Sequence, residues 1–255
     1  MALPVVNILM YHSVSNAEGP TSIAPEIFAK QMAAIAEAGV KVISLDDLLS
    51  AKAEKTTLPP QSIIITFDDG FKDFVETAWP VMDKFGFSPI VYVPTGWVAK
   101  SENWRGANDP ARRLMNWAEI REMSDAGVSI GSHAVSHPDL TTLPDDALVA
   151  ELRQSRKALE DRLGKPVPHF APPYGLTTQD VRNKIAKEYK TSVGTRLGRA
   201  SPDDDVFDLP RLEMFYFKDL NRWRDHLAQK GSLYLNRRRL LRRVRETVSK
   251  PWERA

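Results

Sequence analysis

The chain has 255 residues, 42% hydrophobic and 27% charged, a balance that admits one large α/β domain and excludes a fibrous or disordered chain. It contains no cysteine, so disulfide frameworks, thiolate metal sites and cysteine nucleophiles are excluded together, and any chemistry falls to oxygen and nitrogen groups. The net charge of +2 hides an asymmetry, because residues 236–255 carry eight Lys or Arg against two acids and leave the remainder acidic.

Apolar, β-branched runs predict strands at Val5–Met10, Val40–Leu45, Ile63–Phe67, Ile90–Val93, Val128–Ile130, Val167–Phe170, Thr191–Val193 and Leu209–Phe215. Helical patterns lie between most of them, at Pro25–Ala38, Phe71–Phe85, Trp117–Ala126, Asp145–Leu163 and Thr178–Tyr189. Gly39, Gly86, Gly127 and Gly164 stand where helix-terminating glycines belong. Alternating strands and helices without an internal repeat predict an α/β fold, a (β/α) barrel of seven or eight parallel strands with outer helices. An open doubly wound sheet fits less well, since Tyr11-His12-Ser13 follows the first strand where a glycine-rich phosphate turn would stand. Residues 1–230 form the expected domain and 231–255 a basic tail. Leu240, Leu241, Val244 and Val248 recur at roughly helical spacing among its arginines, a pattern suited to an amphipathic helix on anionic lipid or to a solvated helix. Nucleic acid is the poorer partner, because Trp252 is the one aromatic in the basic stretch. No apolar run is long enough to span a bilayer, and the Met-Ala-Leu-Pro start lacks basic residues before an apolar core, which predicts a cytoplasmic protein.

In a barrel of this kind chemistry belongs at the C-terminal strand ends. The strand ending at Phe67 is followed by Asp68-Asp69-Gly70. Neighbouring strand side chains point in opposite directions, so one acid can bind a metal while the other turns elsewhere; an N-cap for the next helix would need only one. His133 and His137 follow another apolar strand, and histidines four apart on a helical turn converge on one ion. One carboxylate and two imidazoles suit hydrolysis at Zn²⁺ and equally the facial triad of a non-haem Fe(II) oxygenase; the spare acid, a base beside the metal, favours hydrolysis. Pro172-Pro173-Tyr174 is a rigid loop exit whose Tyr174 backbone N–H could stabilise an oxyanion. Arg211 on a late strand could orient an acid. Trp97 and Trp104, with Pro173, are candidates for a sugar-binding rim, whereas Trp117 at a helix start is expected in the core.

Thr66-Phe-Asp-Asp-Gly70, Ser132-His-Ala-Val-Ser-His-Pro138 and Phe170-Ala-Pro-Pro-Tyr-Gly175, in that order, resemble the motifs of the polysaccharide deacetylase family with NodB homology, carbohydrate esterase family 4. The resemblance spans Val5 to Phe215 and implies a deformed (β/α) barrel that removes acetyl groups from N-acetylglucosamine-type sugars, lipid-linked or free, with a divalent metal such as Zn²⁺, Co²⁺, Ni²⁺ or Mn²⁺. It implies Asp68 as base and Asp69, His133 and His137 as metal ligands. Ala134 replaces the family's usual serine or threonine. Ala171 stands where many members carry an arginine that positions the base, and Arg211 is the expected substitute. No clear late Leu-x-His motif supplies a general acid. His226 is expected on an outer helix facing water and His169 is expected to be structural, whereas Leu9-Met-Tyr-His12 resembles the N-terminal histidine segment of poly-β-1,6-N-acetylglucosamine deacetylases and makes His12 the expected acid. Ala171 and the missing late histidine also fit a catalytically weak or inactive sugar-binding barrel.

Overall fold

The computed structural model describes residues 4–104, 107, 108, 110–201 and 203–248, and the side chains among these to residue 242. Val244, Val248 and Trp252 of the basic tail lie outside the described side chains.

Among the described residues there are eight strands: β1 Val5–Tyr11, β2 Lys41–Val42, β3 Gln61–Phe67, β4 Ile90–Val93, β5 Ser129–Ser132, β6 His169–Phe170, β7 Thr191–Leu197 and β8 Leu209–Glu213. The order β1-β8-β7-β6-β5-β4-β3, with β3 returning to β1, closes a barrel of seven parallel strands. The short β2 is an eighth strand outside the ring, sharing one edge of β3 with β4: β2 takes Ser62 and Ile63, β4 takes Thr66 and Phe67. The barrel is uneven. β5 and β6 meet through the single pair Ser132 and Phe170, and the β7–β8 register shifts between Val193 and Leu197.

The helices α1 Pro25–Glu37, α2 Leu45–Lys52, α3 Trp79–Asp83, α4 Trp117–Asp125, α5 Asp145–Leu163, α6 Gln179–Glu188, α7 Leu220–Leu227 and α8 Ser232–Val248 complete the fold. The expected strand Val40–Leu45 is cut to two residues because Ser44 caps α2 in a reciprocal capping box with Asp47. The expected helix Phe71–Phe85 begins later, with a π-helical turn over Phe74–Ala78 before α3. The strand expected to reach Phe215 stops at Glu213, where a 3₁₀ turn over Met214–Phe217 takes over. Gly39, Gly86, Gly127 and Gly164 all take the positive φ expected of them.

Side-chain alternation sorts the core into two layers. Val6, Ile8, Ile64, Tyr92, Val193 and Leu209 fill the lumen, while Leu9, Tyr11, Ile63, Ile65, Phe67 and Leu212 face the helices. Gly131 in β5 admits the Tyr92 ring, since a Cβ there would lie 2.4 Å from it. Trp117 is half-buried against the helix-facing layer beneath the Arg162 guanidinium. Among the described residues no helix is long and apolar enough to cross a membrane.

His226 does not face water as the charged sequence around it suggested. It is buried in the helix-facing layer, its Nε2 3.0 Å from the Asn7 side-chain oxygen on β1, and it packs on Phe217 and Trp223. The single apolar stripe of α7 (Trp223, Leu227) carries it inward. Burial, reinforced by the nearby Arg199 charge, lowers its pKa from 6.5 to about 4. Between those values the unfolded chain binds a proton that the folded chain refuses, so stability present above pH 6.5 is lost as the pH falls toward 4, by on the order of 3 kcal/mol in full. His226→Gln, which keeps an amide donor toward Asn7, should lose less stability than wild type over that interval. Urea midpoints measured across it decide the matter; parallel losses in the two proteins would show that another group carries the acid sensitivity.

Candidate active site

Asp69, His133 and His137 come together at the C-terminal end of the barrel. Asp69 Oδ1 lies 3.3 Å from His133 Nε2 and 3.2 Å from His137 Nε2, and one donor atom from each residue lies within 4.8 Å of the others. All three are buried. The His133 ring is oriented by its Nδ1–H, which donates to the Ala171 carbonyl at 2.6 Å and leaves the Nε2 lone pair turned to the cluster. Burial pushes the Asp69 carboxyl up, but its interactions with the His133 and His137 rings outweigh it and hold the group well below the usual carboxylate range. Two imidazole nitrogens and one anionic oxygen converging on one point fit a divalent ion of the zinc type.

The backbone achieves this by means other than strand alternation and helical spacing. Asp69 has φ 70, so a left-handed turn after β3 brings it to the same rim as Asp68 instead of the opposite side. His133 and His137 lie on an irregular loop, not a helical turn, with Ala134 at φ 64 and His137 at φ 59. Glu151 on α5 holds that loop, its carboxylate accepting from the Val135 and Ser136 backbone N–H groups at 2.7 and 2.9 Å and from the Ser136 hydroxyl. The loop is thus braced without a hydroxyl at position 134. Sequence reasoning missed Glu151, whose signal was weak: an acid two turns into a long helix.

Asp68 projects into the top of the lumen. There Arg211 meets it in a bidentate pair, Nη1 to Oδ1 and Nη2 to Oδ2, both at 2.7 Å. Arg211 is itself buried, and its remaining donors reach the Gly194 carbonyl at 2.7 Å and the Thr66 hydroxyl at 3.0 Å. Burial raises the Asp68 pKa, but the Arg211 charge and hydrogen bonds prevail and lower it overall. His12, just past β1, stands with Nε2 3.9 Å from Asp68 Oδ2, beside that carboxylate. A second acid, Glu213, lies within electrostatic range of His12. Its signal in the sequence was its place two residues after Arg211, on the same face of β8.

Aromatic side chains surround the cluster. The Trp104 ring stacks on His137 with centroids 4.4 Å apart, and Trp97 meets Trp104 edge-on at 5.6 Å. Trp97 Nε1 donates to the Ser136 carbonyl, tying it to the histidine loop. Tyr174, at φ 60 in the turn that follows β6, presents its ring edge-on to His137 at 4.8 Å, with Pro173 buried beside it. His169 lies at the opposite end of the barrel, bonded through Nδ1 to the Thr191 hydroxyl.

Residues 55–193, more than half of the chain, match the polysaccharide deacetylase family. His12 and Arg211 fall outside the matched span. The poly-beta-1,6-N-acetyl-D-glucosamine N-deacetylase of Staphylococcus aureus (strain MRSA252) is 23% identical over 218 residues, covering 81% of this chain and 72% of that protein. The solved Streptococcus pyogenes deacetylase PplD in complex with acetate is 25% identical, covers 83% of this chain and 92% of that one, and superposes with a TM-score of 0.71. IcaB from Ammonifex degensii, 21% identical, covers 90% of this chain and 98% of that one with a TM-score of 0.73, a likeness of fold. The matched span contains the Asp68-Asp69 pair, both converging histidines and the Tyr174 turn on a closed parallel barrel, and the chain belongs to the polysaccharide deacetylase family of carbohydrate N-deacetylases.

Proposed function

We propose that the chain hydrolyses the acetamide of N-acetylglucosamine-type residues in a polysaccharide, with Asp68 as general base. The observation that carries this is the buried, bidentate Arg211–Asp68 pair next to the Asp69–His133–His137 cluster. A sugar-binding barrel has no use for an oriented base beside a metal site. The name of the Staphylococcus aureus relative supports N-acetylglucosamine as the sugar.

A divalent ion held by Asp69, His133 and His137, Zn²⁺ in our reading, would polarise the acetamide carbonyl and make a nearby water more acidic. Asp68 takes the proton from the attacking water. Arg211 keeps the carboxylate ionised and fixes both oxygens, so the accepting lone pair is aimed before substrate arrives. The negative charge that develops on the carbonyl oxygen meets the Tyr174 backbone N–H. His12 gives a proton to the leaving amine. His12 stands 3.9 Å from Asp68 Oδ2, so acid and base meet the same acetamide from neighbouring positions. Trp104 and Trp97 offer faces for the sugar rings, whereas Pro173, expected at the rim, is buried in the turn beside Tyr174.

Purified protein should bind about one divalent ion per chain, as counted by elemental analysis, and release acetate from N-acetylglucosamine oligomers only when metal is present. Asp69→Asn should lose metal and turnover together, whereas Asp68→Asn should keep its metal and lose most turnover. Because Asp68→Asn also leaves the Arg211 charge buried and unpaired, at a cost of ~3–5 kcal/mol, activity is compared well below the melting temperature. Equal metal loss in the two variants would reverse the assignment of base and ligand.

His12→Ala should lower turnover roughly 10²–10⁴-fold, the usual range for an acid–base group, with metal content and melting temperature unchanged. His226→Ala, altering a residue in the opposite layer, should leave the turnover of the folded fraction near wild type. Loss of activity in His12→Ala that tracks loss of metal would remove His12 from the proton-transfer role.

A further inference from the structure

The last helix, α8, turns its apolar residues away from the protein. Leu233, Leu240 and Leu241 are 83%, 63% and 51% exposed. Spacings of seven and eight residues put them on one stripe of the helix.

The inward face explains why the stripe points out. Leu235 is buried in the helix-facing core layer, and the Tyr234 hydroxyl donates to the Tyr216 carbonyl at 2.6 Å. The Arg238 guanidinium lies over the rings of Tyr216 and Tyr234, 4.8 and 5.4 Å from their centroids. Arg239 Nε donates to the Leu197 carbonyl at 2.9 Å. Rotating α8 to bury the leucines would forfeit all of these contacts, so arginine and aromatic contacts replace the leucine packing usual for an amphipathic helix. The same contacts fix its position. Leu197 is the last residue of β7 and Tyr216 follows β8, so α8 runs beside the barrel end that holds Asp68, Asp69 and His133.

Charge identifies what covers the stripe. Residues 236–255 contain eight basic residues and two acids; Arg238 and Arg239 are engaged on the protein face and Arg242 lies within electrostatic range of Glu213, which leaves five bases against the two acids. Three leucines offer on the order of a few hundred Å², well short of the ~800 Å² per partner of a stable protein interface. A second copy would also bring the same positive segment to the contact, and the two would repel. An anionic bilayer suits both features, with headgroups attracted by the remaining basic residues and leucines entering the interfacial layer. We propose that α8 docks the chain on an anionic lipid surface, leucine stripe inward, with the active-site end of the barrel held close to that surface. This goes beyond the deacetylase assignment and does not depend on it.

The full chain is mixed with vesicles of phosphatidylcholine alone or with phosphatidylglycerol added, and bound protein is measured by sedimentation. Binding to the anionic vesicles should exceed binding to the neutral ones by roughly tenfold at low salt and disappear at high salt. A double variant, Leu240→Ser with Leu241→Ser, should lose roughly tenfold in binding to anionic vesicles, with its melting temperature unchanged since both side chains are exposed. Absent or equal binding to the two vesicle types, or undiminished binding by the double variant, overturns the proposal. So does a dimer in solution that the double variant abolishes, which would give the stripe to a second copy.

Discussion

The buried pairing of Arg211 with Asp68 is the constraint around which the working end of the barrel is arranged. Withdrawing both charges from water costs several kcal/mol per ion, and the pair is tolerable only with near-ideal geometry and full use of the remaining donors. The barrel supplies that geometry and engages four of the five guanidinium N–H groups. Arg211 is satisfied by two Asp68 oxygens, the Gly194 carbonyl on β7 and the Thr66 hydroxyl on β3, and that hydroxyl donates in turn to the Leu9 carbonyl on β1. One side chain from β8 therefore ties four strands together at a single level of the lumen. The register of β8 is specified there, since a slip of one residue would send Arg211 among the helices and leave Asp68 unpaired.

A second constraint comes from the backbone. Among the described residues, four of the seven non-glycine residues with positive φ, namely Asp69, Ala134, His137 and Tyr174, belong to this site. Each such conformation costs on the order of 1–3 kcal/mol and persists only where its surroundings hold it. Strand alternation alone would send Asp69 away from Asp68, and the left-handed turn is what returns it. The histidine loop is held by Glu151 from outside and by the Thr95 and Gly96 N–H groups, which donate to the Ala134 and Val135 carbonyls. Gly96 has to lack a side chain, because a Cβ would come within 2.7 Å of the Val135 carbonyl. The cluster is pre-formed at a cost met by α5 and the β4 exit, so a metal need not pay to order it.

Much of the architecture was legible because each strand is buried on both faces, in the lumen and against the helices, and so reads as a near-continuous apolar run, as Ile63, Ile64 and Ile65 show. Legibility failed where a local polar interaction overrides periodicity. Ser44 and Asp47 convert the end of an apolar run into a helix start, and the charged sequence around His226 conceals that one narrow stripe of α7 is buried. For the site, residue types were legible but geometry was not. The helical-turn argument brought the two histidines together by the wrong route, since the rings meet through a left-handed loop at 4.9 Å. Arg211 could have been placed more firmly than it was. Leu209, Arg211 and Glu213 share one face of β8, and Leu209 lies in the lumen, so an arginine two residues on must also point inward and find a carboxylate.

The rim above the cluster is stiffened by a further buried pair that plays no part in the proposed chemistry. Glu102, on the long segment after β4, holds Arg112 of the same segment through contacts of 2.7 and 2.9 Å, and its side chain is fully enclosed. Arg112 reaches across to the Thr21 carbonyl and the Ser22 hydroxyl on the segment after β1, and stacks over the Phe71 ring. Asp73 fastens that second segment from below, accepting from the Ser13 hydroxyl and the Val14 N–H. The loop that begins at His12 and the loop that carries Trp104 are thus clamped to each other. Trp104 in turn rests on His137, so the Trp104 ring, the His137 ring and the His12 ring beside Asp68 share one mechanical frame. A sugar ring pressing on Trp104 would therefore load a frame that already fixes His12 and His137, and binding energy at the rim would serve to hold the reacting groups in register.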